Sequence, residues 1–267
     1  IYVEHGHQYD PDSAVPDPLL PERRDGHGLW LSLGSAGLRH ILGGIGTMNP
    51  HVPDSFRLGG PITYLRHWMR HYLGRGRSLM RTWIFGAIRT AKHVLGQGPD
   101  SEPGAAERLD ALARQARGSG LGAGAVRKLR RLQVRPVSDR PYAVWRQLWL
   151  DRLLGVTVGL GAALVAALVG GWVMGLVALA LFVTAWVVYE HVAPGVGAEA
   201  DEGRLPWVAD RICEATGDRV VVFGHTHHPV SQSLPGGGRL LNTGAWAAAF
   251  ADPECTTRVD SHRTFGW

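Results

Sequence analysis

The sequence predicts a mixed α/β protein with a helical insertion and two transmembrane helices. Three observations carry that prediction. The apolar run Val220-Val221-Val222-Phe223 has the length and β-branched content of a buried strand, and it runs directly into Gly224-His225-Thr226-His227. A second apolar run, Leu153 to Tyr189, continues for 37 residues without a charged side chain, whereas one membrane span takes about 20. Between residues 61 and 95, aromatic and aliphatic side chains recur at spacings of three and four, the period of amphipathic helices.

In chain order, Val3-Glu4-His5-Gly6-His7-Gln8-Tyr9-Asp10 reads as a short strand that ends in two histidines. Residues 11–36 contain Pro11, Pro16, Pro18 and Pro21 and read as an irregular loop. Residues 61–95 combine Tyr64, Leu65, Trp68, Met69, Tyr72, Leu73, Leu79, Met80, Trp83, Ile84 and Ile88 with Arg66, Arg70, Arg75, Arg77, Arg81 and Arg89. Two readings stay open for them: an interfacial helix pair lying on anionic lipid, or a helical cap packed on the soluble part. Residues 96–104 make a linker and 105–116 a short polar helix. Gly118, Gly120, Gly122 and Gly124 read as a flexible turn, because no Gly-Lys-Ser/Thr follows to make a phosphate-cradling loop. Tyr142, Trp145 and Trp149 lead into the long apolar run, where aromatics suit a membrane interface.

That run is too long for one comfortable span and just long enough for two short ones. Gly170-Gly171 at its middle offers the turn, giving helices over about 153–169 and 172–189. Gly155, Gly159, Ala163 and Ala167 form a small-residue stripe that permits close packing in lipid. One long tilted span and a buried soluble helix pair are the rival readings. Arg127, Lys128, Arg130, Arg131, Arg135, Arg140, Arg146 and Arg152 precede the run, so the positive-inside rule places this flank in the cytoplasm. A hairpin returns the following residues to the same side, where His5 could meet His225 and His227.

The 267 residues carry a formal charge of +5 and a sequence pI of about 9.6. Arginine dominates the basic residues, which favours anionic partners such as phosphates or lipid headgroups. No nucleic-acid-binding motif is present, and nucleic acid is not expected as a partner. Cys213 and Cys255 form no CxxC and fit a reducing compartment, with a single disulfide left open.

The histidines carry the chemistry. A strand that ends in Gly-His-x-His places two imidazoles on a tight loop, and neutral imidazole binds zinc, manganese and iron. That pattern points to a metal site and, through it, to a hydrolase. Together with Leu240-Leu241-Asn242-Thr243-Gly244-Ala245-Trp246 downstream and His5-Gly6-His7 upstream, the Gly-His-Thr-His loop resembles the C-terminal half of calcineurin-like metallophosphoesterases. The likeness is loosely to the branch that contains UDP-diacylglucosamine hydrolases.

The resemblance implies the latter portion of a four-layer α-β-β-α sandwich. It implies two divalent metal ions (manganese, iron or zinc) about 3.5–4 Å apart. His5 and His225 would bind one ion and His227 the other, an aspartate would bridge them, and a hydroxide on the metal pair would attack phosphorus. A site tethered to the bilayer suggests a lipid-linked or headgroup-bearing phosphoester or pyrophosphate as substrate. His7, Asp10, His228 and Asn242 are second-rank candidates: His7 lining the site, Asp10 orienting a histidine or making a turn, His228 touching substrate, and Asn242 securing the backbone between return strand and loop.

The sequence departs from the family pattern at its carboxylates. The family's Asp-x-His, Gly-Asp-x-x-Asp and Gly-Asn-His motifs should precede His5, yet only four residues do. Asp25-Gly26-His27 matches the first literally but follows no apolar strand, and Asn49-Pro50-His51 is not Gly-Asn-His. The expectation is therefore the C-terminal part of a longer enzyme, inactive alone, or else a degenerate relative acting as a membrane scaffold or metal-dependent binding module. The organisation expected is a core segment at 1–18, a basic helical insertion at 19–150, a transmembrane hairpin at 151–192 and a second core segment at 193–267.

Overall fold

The computed structural model describes residues 1–18, 20, 22, 28–43, 79–97, 104–192, 203–226, 229–244, 249–250 and 258–259. Among them are seven α-helices and a small mixed sheet. Two compact units emerge, one of Ile1–Asp139 with Glu199–Trp267 and one of Arg140–Ala198.

The sheet of the first unit has strand order β1-β2-β4-β3. β1 (Tyr2–Val3) pairs parallel with β2 (Val220–Phe223), setting Tyr2 opposite Val221 and Val3 opposite Val222. β4 (Arg239–Thr243) lies parallel to β2 on its other side, and β3 (Pro229–Ser233) closes that side antiparallel to β4. The pattern follows composition. β2 is apolar throughout and takes a central place, while β3 is exposed along its length, polar at Ser231, Gln232 and Ser233, and begins with a proline that an edge strand tolerates. A separate pair, β5 (Ala249–Phe250) with β6 (Arg258–Val259), is antiparallel.

Helix α7 (Leu205–Thr216) covers the sheet. Its Leu205, Val208, Ala209 and Ile212 recur at the helical period and are buried with Val221, Phe223 and Leu240. Leu234, Leu129 and Leu132 of α4 (Ala123–Leu132), and Tyr9 complete this core. Burying each large aliphatic or aromatic side chain here is worth about 1.5–3 kcal/mol. Helix α3 (Ala105–Ser119) packs on α4 through Leu112, Ala116 and Val126. Asp17, almost wholly buried, ties the proline-rich segment to both helices, with Arg130 Nη2 at 2.9 Å and Arg108 Nε at 3.5 Å.

The segment expected to be irregular over 11–36 also contains the start of a helix. α1 (Leu33–Gly37) is capped by Ser32, whose hydroxyl accepts from the Ser35 N–H. It continues into a π-helical turn, Leu38–Leu42, and packs on α2 (Leu79–Leu95). Residues 61–78 of the amphipathic stretch lie outside the described residues.

The second unit begins with α5 (Pro141–Gln147) and holds α6 (Leu150–Val192). Gly171 breaks α6 with φ 81° and ψ 172°, a conformation that only glycine adopts readily. The two limbs run back along each other. The Arg152 guanidinium forks onto Glu190, with Nε to Oε1 at 2.7 Å and Nη2 to Oε2 at 2.9 Å, and the Tyr189 hydroxyl donates to Asp151. Thirty-eight residues of straight helix would hold Arg152 and Glu190 about 57 Å apart. Small residues admit the contact: a side chain at Gly159 would overlap the Phe182 ring, and Gly155 and Gly175 lie against Trp186 and Ala167. Thr157 and Thr184 return their hydroxyl protons to the carbonyls of Leu153 and Ala180, so neither hydroxyl proton is left unmet in the apolar stretch. α6 is long and apolar enough to cross a membrane, and only 6 % of its most apolar window is buried.

Candidate metal centre

The parallel pairing of β1 with β2 makes both strands end at one edge of the sheet, and the backbone register continues past them. The Glu4 N–H donates to Val222 O at 3.1 Å, and the Gly224 N–H donates to His5 O at 3.2 Å. The His-Gly-His and Gly-His-Thr-His loops therefore leave the sheet side by side. Gly6 turns the first loop with φ 93°, in the left-handed region that costs another residue about 1–2 kcal/mol. A short 3-10 turn, His7–Tyr9, follows and drives Tyr9 into the core, its ring 5.7 Å from that of Phe223.

Three imidazoles and one carboxylate collect there. The His5 ring meets His225 edge-on, centroids 5.1 Å apart, and His5 Nδ1 faces His7 Nδ1 at 3.4 Å. His225 Nε2 donates to Asp10 Oδ2 at 3.0 Å, while Asp10 Oδ1 accepts from the Asp12 N–H at 2.9 Å. Asp10 thus touches His225 through one oxygen and closes a turn through the other. Burial raises its carboxyl pKa, but hydrogen bonds from His225, Ser13 and the Asp12 N–H prevail and hold it below the ordinary value. Burial first, and then the neighbouring His225, push the His7 imidazole below its ordinary value, against an opposing pull from Asp10. A neutral His7 ring keeps a lone pair to offer.

Asn242 is buried on β4. Its Nδ2 donates to Thr226 Oγ1 at 2.9 Å, and its Oδ1 accepts from the Gly244 N–H at 3.1 Å. It ties the return strand to the histidine loop. His227 and His228 lie outside the described residues, as do Asp25-Gly26-His27 and Asn49-Pro50-His51.

Sequence reasoning missed a polar cluster under the first loop. Glu4 Oε2 accepts from the Tyr2 hydroxyl at 2.8 Å and from Gln8 Nε2 at 2.5 Å. Burial lifts the Glu4 carboxyl above its usual range, against hydrogen bonds from Tyr9, Tyr2 and Gln8. Alternation along β1, which puts Tyr2 and Glu4 on one face, was the available signal. His40 of the π-helical turn and His93 of α2, to which their sequence spacing assigns no chemistry, approach to 3.5 Å.

Compared with protein-family models, curated proteins and solved structures, the chain matches none. The site must therefore be judged on its own donors. Two nitrogens on one tetrahedral ion at 2.0–2.1 Å bonds sit about 3.4 Å apart, so the His5–His7 spacing suits an edge of such a site. Imidazole with carboxylate also suits zinc, manganese or iron. Yet among the described residues no three His, Cys, Asp or Glu side chains form a group that could hold a metal ion. Asp10 is the carboxylate hydrogen-bonded within this histidine group, and it is turned toward His225 rather than between two ions. The described residues do not by themselves fit a two-metal centre.

Proposed function

We propose that this chain carries the histidine side of a membrane-anchored, metal-dependent phosphoester hydrolase. The observation that carries the reading is the meeting of the two histidine loops, more than two hundred residues apart in sequence, with His5 against His225 and Asp10 on His225. In this reading His5 and His225 would hold one ion and His227 a second. Asp10 fixes the His225 ring, and Asn242 holds the loop that presents it. The three-ligand group that such a centre requires is not found among the described residues. Bound divalent ions would neutralise phosphoryl charge and acidify water.

The membrane part of the proposal has α6 crossing the bilayer twice. Its support is the exposure of an apolar surface with polar groups gathered at the limb ends. Each limb has about 20 residues, or about 30 Å of helix, which matches the hydrocarbon thickness. By the positive-inside rule, the basic residues before α6 support a cytoplasmic side for the histidine loops. A substrate with a lipid-linked phosphoester or pyrophosphate follows from that tethering.

The test is manganese-dependent hydrolysis of a chromogenic phosphodiester by the complete protein. His5→Ala and His225→Ala should each lower kcat/KM by roughly a hundredfold or more, as loss of groups that organise a metal site does. Absence of metal-dependent turnover in the complete protein would sink the enzyme reading. A second reading, a degenerate relative that binds without turnover, is favoured by the Asp10–His225 pair and by the lack of a three-ligand group among the described residues. Metal binding by calorimetry without hydrolysis would select it.

A further inference from the structure

Helix α2 buries one side and exposes the other in a clean division. Gly86, Ala87, Thr90, Ala91 and Val94 are buried. Arg81, Phe85, Ile88, Arg89 and Lys92 are exposed and fall on the opposite face, at steps of four, three, one and three residues. That outward stripe is not the polar surface that water favours. Phe85 is 53 % and Ile88 49 % exposed, and basic side chains flank both, with the Arg81 guanidinium over the Phe85 ring at 5.7 Å. The 17 residues of α2 contain no acidic side chain. Apolar residues at the centre of a basic stripe match a surface with negative charge outside and hydrocarbon just beneath.

We infer that the outward face of α2 docks on an anionic phospholipid leaflet, with Phe85 and Ile88 entering the headgroup–acyl boundary and Arg81, Arg89 and Lys92 meeting phosphates. This extends the membrane reading proposed above from an anchor to a second, reversible contact. Each basic side chain near an anionic leaflet is worth about fivefold in partitioning. Removing three should lower the ratio of docked to undocked helix by roughly a hundredfold, and high salt should act in the same direction.

The experiment uses the complete chain with Cys213 and Cys255 replaced by serine, and an environment-sensitive fluorophore on Ile88→Cys. A parallel protein carries the fluorophore on Val169→Cys, near the tip of the α6 hairpin. Both are reconstituted with phosphatidylcholine vesicles, with or without phosphatidylglycerol. The expected result is a blue shift at position 88 that needs phosphatidylglycerol, reverses in high salt, and is lost when Arg81, Arg89 and Lys92 become glutamine. An aqueous signal at 88 on anionic vesicles overturns the docking, as does an equal shift with a soluble polyanion in place of vesicles. Position 169 reads the hairpin separately: an apolar signal there with an aqueous one at 88 removes the docking alone, and the reverse removes the hairpin insertion alone.

Discussion

The open end of the β1–β2 pair and the base of the α6 hairpin each join residues far apart in the chain, yet different forces hold them. At the sheet, Tyr2 lies beside Val221 because two apolar strands share one covering helix, and the histidines follow wherever those strands end. At the hairpin, Arg152 meets Glu190 because a glycine reverses the chain and small residues let the limbs close. The first junction depends on a distant core. The second is written into one continuous stretch. A site built on the first kind of junction is therefore sensitive to changes well away from its chemistry.

The largest break in this comparison should come from Phe223→Ala. Its ring is buried between Tyr9 and Gly6, just below both histidine loops. Truncation should cost about 3–5 kcal/mol, read as a fall in the denaturation midpoint. It should also separate the His5 and His225 ring protons in nuclear Overhauser spectra. The hairpin should be unaffected, since none of that core cluster's residues belongs to it.

Gly159→Leu tests the other junction. A side chain there overlaps the Phe182 ring, and overpacking of this kind costs about 1–3 kcal/mol. Cross-linking of cysteines placed at Gly155 and Trp186 should fall in the variant, while the spectra of the histidine loops stay as they were. Loss of both together would mean that the two regions are coupled.

The smallest effect is a pH dependence at Asp10. Its carboxyl titrates lower in the folded chain than the ordinary 3.8. The unfolded chain therefore takes up a proton first as pH falls, and folding loses stability between 3.8 and the lower native value. Above that window the contribution is fully present. Asp10→Asn should flatten this acid limb in melts recorded against pH. An unchanged limb would show that the His225 contact contributes nothing to stability.

Much of the frame is legible in the residues. Val220 to Phe223 announces a strand, and the helix read at 105–116 appears as α3. The turn offered by Gly170-Gly171 falls at Gly171. What escaped reading arises from contacts made across long stretches of chain. For Asp10 the residues leave a turn and a histidine contact both open, and only the fold brings His225 to it. Glu4 carries no signal of its own in the sequence, and its role appears only when Tyr2 and Gln8 close on it. His40 and His93 share no ligand spacing, and they meet because α1 packs on α2.

By itself the sequence determined the local states: which runs are apolar, where glycine permits a reversal, and which strand carries histidines at its end. These follow from side-chain period and backbone sterics, which act over a few residues. Tertiary structure alone decided that His5, His7, Asp10 and His225 share one corner, and that α2 turns Phe85 and Ile88 outward among basic side chains. Both depend on which surfaces bury each other, a choice made by the whole chain at once.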